Sequence, residues 1–174
     1  MKAADDHFQL YEKIYFFEAE RKEKLIVRLN LPLAMLVALL SFLSYLLGKA
    51  PPSSETTGLF FWVLYLYSCM CVAMGIWHFA KAWRLRVNDL SIPTLFKLEE
   101  HRKKLISYYG DGGEETANSL FIQTIADYYV MGGTTNSENN DRRVEELDHL
   151  SKFVIWAIVF SILSFIPFFL FNHP

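Results

Sequence analysis

Three uncharged apolar blocks, at residues 29–47 (apolar from Leu29 or Leu31), 59–80 and 153–171, govern what this chain can fold into. A helix rises about 1.5 Å per residue and a hydrocarbon core is roughly 30 Å thick, so each block is long enough to cross a bilayer. An apolar share of 52% with 16% aromatics exceeds the usual globular level, and the excess sits in these blocks. The chain therefore reads as all-α, with three transmembrane helices and a cytosolic helical bundle. Residues 1–28 are rich in charge before the first apolar run, unlike a secretory signal, so no cleavage is expected.

Lys and Arg are retained on the cytoplasmic side, which sets the expected orientation. Six of them lie in residues 1–28 (Lys2, Lys13, Arg21, Lys22, Lys24, Arg28), Lys49 stands alone between the first two blocks, and ten lie in 81–152. The expectation is a multi-pass protein of the cell (cytoplasmic) membrane with its N-terminus inside. The Pro51-Pro52-Ser53-Ser54 turn and the Asn172-His173-Pro174 tail then fall outside. The expected organisation is an N-terminal charged helix over 1–28, a transmembrane hairpin over 29–80, a cytosolic helical region over 81–152, and a third span with a short tail over 153–174.

Within residues 1–28 a wide apolar face (Phe8, Leu10, Tyr11, Ile14, Tyr15, Phe17) predicts a helix, supported by Glu18–Lys22 and Glu20–Lys24 at i,i+4. With no breaker before Pro32, this helix is expected to run into the first span. The second span is expected to continue through 80–86, where Trp83, Arg84 and Arg86 are interfacial anchors. Ser91 before Ile92-Pro93 predicts a helix start, and Gly110-Asp111-Gly112-Gly113 its stop. A further helix from Glu114 to Met131 is expected to end at Gly132-Gly133. Residues 134–140 then read as a loop, and a charged helix from about Asp141 leads into the third span. Together these pieces predict a four- or five-helix cytosolic bundle.

Each span carries small or weakly polar residues at three- and four-residue spacing. They are Ala34, Ala38, Ser41, Ser44 and Gly48 in the first, Ser68, Cys71, Gly75 and His78 in the second, and Ala157, Ser161 and Ser164 in the third. In lipid such stripes make close helix contacts, or line a wet pore if several chains assemble. The candidate pore-lining or helix-packing residues are Ser41, Ser44, Ser68, Cys71, Gly75, His78, Ser161 and Ser164. His78 can carry charge near neutrality inside a span, where a polar group is costly; gating or proton sensing stands beside a structural hydrogen bond. Cys69 and Cys71 point to different helix faces and imply neither a disulfide nor a metal site, and no cofactor is expected.

No phosphate-cradling Gly loop, Gly-x-Ser-x-Gly or His-Glu-x-x-His occurs, and no enzyme is expected. Ten Lys or Arg against twelve Asp or Glu in 81–152 disfavour a broad nucleic-acid surface. His101-Arg102-Lys103-Lys104 reads as a solvated helix face or a contact for lipid headgroups or an anionic ligand. Arg143-x5-His149 matches the Arg-x(4 to 6)-His spacing of HEPN ribonucleases, though Val144 follows the Arg where that family favours a polar residue. Ion pairing of Arg143 with Glu145, Glu146 or Asp148 is the competing reading.

The charged helix ending in Glu18-Ala19-Glu20-Arg21-Lys22-Glu23-Lys24, two closely spaced spans and following cytosolic helices resemble SLATT-type membrane effectors of bacterial anti-phage systems. With Arg143 and His149 the chain is also similar to the divergent-HEPN membrane-pore accessory proteins of RNA-targeting CRISPR systems. These resemblances imply a homo-oligomeric pore-forming or membrane-perturbing effector of antiviral defence, with the lipid bilayer and a cytosolic sensor protein or nuclease as partners. The alternatives are a non-catalytic membrane scaffold or assembly subunit and, further off, a membrane-tethered HEPN-like ribonuclease using Arg143 and His149.

Overall fold

The computed structural model describes residues 2–53, 56–85, 89–110 and 112–172, with side chains from Asp6 onward. Ser54 of the proline-rich turn, Arg86 of the anchor, Asp111 of the Gly-rich stop and residues 173–174 of the tail lie outside them. Among the described residues the chain is all-α, in five helices: α1 (Lys2–Arg28), α2 (Asn30–Leu47), α3 (Thr56–Arg84), α4 (Leu95–Tyr109) and α5 (Glu114–Asn172). Three helical stretches, Asp6–Leu47, α3 and α5, are long and apolar enough to cross a membrane. This is a membrane protein by length and composition of its helices.

A single turn residue, Leu29, separates α1 from α2. It keeps right-handed helical angles, and its N–H donates to Ile26 at 3.2 Å. Pro32 explains the interruption, because it offers no N–H to the Arg28 carbonyl four residues back.

The chain divides into two compact units, one of Met1–Lys24 and Val87–Asp141, the other of Leu25–Arg86 and Arg142–Pro174. In the second unit, α2 turns Leu36, Leu39, Leu43 and Leu46 inward at three- and four-residue spacing. They pack with Phe61, Tyr65 and Val72 of α3 and with Leu150, Val154, Ala157 and Phe168 of α5. Gly75 lies at a close crossing, since a Cβ there would stand 3.2 Å from Leu36 and 3.7 Å from Leu150. The α2–α3 turn is held by Trp62 Nε1 donating to the Pro51 carbonyl at 3.1 Å. A Cβ on buried Gly58 would collide with the Pro52 carbonyl, so that position needs glycine.

The first unit contains α1 up to Lys24, α4, and α5 up to Asp141. The predicted helix end at Gly132-Gly133 and the predicted loop over 134–140 do not exist, so two of the expected cytosolic helices are one continuous segment. α5 runs unbroken for 59 residues. The cause is tertiary. Gly132 and Gly133 are buried against α1, where a Cβ on Gly132 would sit 2.7 Å from Tyr15. Asn136 exchanges hydrogen bonds with the Leu90 backbone at 2.9 and 3.0 Å, and Asn140 Nδ2 donates to the Glu18 carbonyl at 2.8 Å and to its carboxylate at 2.9 Å. These residues spend their turn-forming groups on partners distant in sequence.

Two further expectations are corrected in this unit. Helix α4 starts at Leu95 rather than near Ser91, because Leu90 is held by Asn136 and the Ile92 N–H donates to Tyr15 Oη at 3.2 Å. Pro93 also disfavours helical angles at Ile92. In α1, Glu20–Lys24 forms at 2.7 Å, but Lys22 pairs with Asp89 at 3.0 Å while Glu18 takes Arg21 and Asn140. Of the apolar face read in α1, Tyr15 is buried, whereas Leu10, Ile14 and Phe17 are exposed.

Candidate functional site

Small polar residues gather inside the span packing of the second unit. Ser68 Oγ lies 3.0 Å from the Ala157 carbonyl and 2.7 Å from Ser161 Oγ. A hydroxyl has one proton and a carbonyl can only accept, so Ser68 donates to Ala157 and Ser161 donates to Ser68. Ser164 Oγ donates to the Ser161 carbonyl at 2.8 Å, and all three serines are buried. Cys71 is partly buried against the same core, and both cysteines are free. This set ties α3 to α5 where lipid offers no hydrogen-bonding alternative.

Ser41 and Ser44 stand apart from that seam. Both are exposed on α2, and each donates to a carbonyl of its own helix, Val37 at 3.0 Å and Leu40 at 2.8 Å. Ala34, Ala38 and Gly48 are exposed as well, so the first stripe faces outward while those of the second and third spans face inward.

Where the second span ends, α3 and α5 build a charged cluster. His78 Nδ1 lies 2.6 Å from Glu146 Oε2, and Lys81 Nζ lies 3.3 Å from Glu146 Oε1. The His78 ring is stacked on His149 at 5.1 Å and on Phe153 at 5.4 Å. One face of α5 supplies Glu146, His149 and Phe153 at spacings of three and four. Burial raises the Glu146 carboxyl, but the hydrogen bonds from His78 and Lys81 and their charges outweigh it, leaving it below the ordinary glutamate range. Such a pair can hold a proton and fix the imidazole tautomer through Nδ1. Among the described residues no group of three or more His, Cys, Asp or Glu is placed to hold a metal ion.

Arg143 and His149 are not brought together within the chain. Arg143 is fully buried, and six residues along a helix rotate His149 about 120° away, onto the face that meets His78. Of the acids near Arg143, Glu146 takes His78 and Lys81 and Asp148 takes Lys152 at 2.5 Å, while the exposed Glu145 lies 4.0 Å from His149. In the 101–104 cluster, Arg102 chelates Glu99 at 2.9 Å and Lys104 pairs with Glu100 at 2.7 Å, so two of its cations are spent within α4.

Glu146, Lys81 and the stacking of His149 on His78 escaped the sequence reading. A signal was present: a lone histidine near the end of one span calls for a polar partner at equal depth, and Glu146 precedes the third span by seven residues. Comparison with family models, with curated proteins and with solved structures gives no match for this chain.

Proposed function

We propose that the chain is the subunit of a homo-oligomeric assembly in the cell membrane that opens a pore or otherwise perturbs the bilayer, as an effector of antiviral (anti-phage) defence. The observation that carries this reading is the outward stripe of Ala34, Ala38, Ser41 and Ser44 on α2. Small residues on a lipid-facing surface bring no packing gain against acyl chains, but they let a second helix approach closely. An apolar groove of about 320 Å³ runs beside the stripe, lined by Met35, Ala38, Phe42, Ile158 and Ile162. It suits a side chain from a neighbouring subunit. The inward stripes are consumed in packing the chain's own spans, so a conduit would form between subunits.

The scaffold or assembly-subunit reading rests on the same stripe. Ser41 and Ser44 satisfy their hydroxyls on their own carbonyls, which makes that face fit for a dry contact too. Reconstitution of the full chain in dye-loaded vesicles decides between them. The proposal expects crosslinked oligomers with dye release, both abolished by Ala38→Leu and Ser41→Leu together. Oligomers without release favour the scaffold. A monomer that releases nothing overturns both. RNA degradation lost on His149→Ala would favour the ribonuclease reading.

A further inference from the structure

A second groove, of about 470 Å³, opens where α3 leaves the second span. It is lined by Lys81, Arg84, Leu85, Arg142, Glu145 and Glu146, all within the second unit. Its charges are unequally occupied. Glu146 is compensated by His78 and Lys81, whereas among the described residues Arg84 and Arg142 have no ion-pair partner. Glu145, with 73% of its side chain exposed, meets a possible cation only in His149 at 4.0 Å. Two unspent guanidinium groups and one unspent carboxylate thus share a single concavity.

Its depth relative to a bilayer follows from α3. Trp77 and Trp83 are exposed on either side of Lys81, whose ammonium lies over the Trp77 ring at 5.9 Å. Tryptophan and basic residues at the end of an apolar span mark the headgroup level. Guanidinium groups at that level match a phosphate in both charge and geometry. A carboxylate in the same groove repels an anionic headgroup but accepts from a primary ammonium.

We propose that this groove binds the headgroup of an aminophospholipid of the ethanolamine type, with Arg84 and Arg142 on the phosphate and Glu145 on the ammonium. The phosphate could also come from free inorganic phosphate, and the test separates the two sources. Lipid titration of the full-length protein in mild detergent, read by native mass spectrometry, would compare phosphatidylethanolamine, phosphatidylcholine and phosphatidylglycerol with identical acyl chains. Phosphatidylethanolamine should bind most tightly. Arg84→Gln and Arg142→Gln should each weaken it about tenfold, as loss of a charge-assisted hydrogen bond implies.

Glu145→Gln should weaken phosphatidylethanolamine several-fold and phosphatidylcholine less, because choline keeps the positive charge but has no N–H to donate to the carboxylate. Lys103→Gln, on α4, should change nothing. These side chains are exposed, so folding should survive, and an unaltered helical circular-dichroism spectrum with Arg142→Lys retaining part of the affinity would verify that. Equal affinity for all three lipids, or insensitivity to Arg142→Gln, overturns the proposal. Displacement of the lipid by millimolar inorganic phosphate overturns the lipid as the source.

Discussion

Replacing His78 by Phe isolates the hydrogen bond to Glu146, because a phenyl ring can keep the stack between His149 and Phe153. A hydrogen bond to a charged group contributes about 1.5–3 kcal/mol. Here Lys81 remains at 3.3 Å from the same carboxylate, and Glu146 keeps 19% of its side-chain exposure, so water and Lys81 absorb part of the loss. The expected cost of His78→Phe is about 1–2 kcal/mol, after discounting for that screening. His78→Ala also removes the ring contacts, each ~0.5–1.5 kcal/mol, and should cost about 2–4 kcal/mol. Thermal unfolding in detergent, followed by circular dichroism, would show losses of roughly 2–8 °C for Phe and more for Ala. The pH dependence supplies a second check. Glu146 is held below its ordinary value near 4.5, so its contribution is complete above that value and lost as pH falls through the lowered one. The gap between wild type and His78→Phe should narrow as pH drops below about 4.5. Equal costs for Phe and Ala, or a gap that does not narrow as the Glu146 carboxylate is titrated in acid, would refute the assignment of stability to this pair.

Ser68→Ala should cost about 0.6 kcal/mol and at most about 1.7, and Ser161→Ala less, because Ser68 keeps the Ala157 carbonyl; a double-mutant cycle in detergent measures the difference. Gly132→Ala should destabilise the first unit by about 1–3 kcal/mol, since its Cβ would meet Tyr15 at 2.7 Å, and faster hydrogen exchange in 114–141 would report it. Reporter fusions at the N-terminus and after residue 53 should read inside and outside respectively, and the reverse result would overturn the orientation drawn from Lys and Arg placement.

The spans were legible because bilayer thickness imposes a length on an uncharged run and leaves little for tertiary contacts to override. Helix α4 ended where Gly110 and Gly112 stood, and both take positive φ, 64° and 93°. The small-residue stripes were legible as stripes but not as faces. Ser41 and Ser68 carry the same hydroxyl at the same kind of spacing. One faces outward on α2 and the other is buried between α3 and α5, because the direction of each stripe depends on how three helices are arranged around one another.

Gly132-Gly133 and Asn136, Asn139 and Asn140 misled for a related reason. Lacking a Cβ, glycine can adopt positive φ at a stop or admit a neighbouring ring within a continuous helix, and composition does not separate the two. Asparagine can cap its own backbone or reach another segment's, as Asn136 does at Leu90 and Asn140 at Glu18. Aromatic Tyr15 and Tyr129, whose ring centroids lie 5.6 Å apart, bring α1 and α5 close, and at Gly132, three residues after Tyr129, a Cβ would stand 2.7 Å from the Tyr15 ring. The same property that ends α4 therefore extends α5, and the deciding difference is whether an aromatic ring from another helix occupies the space that the missing Cβ leaves.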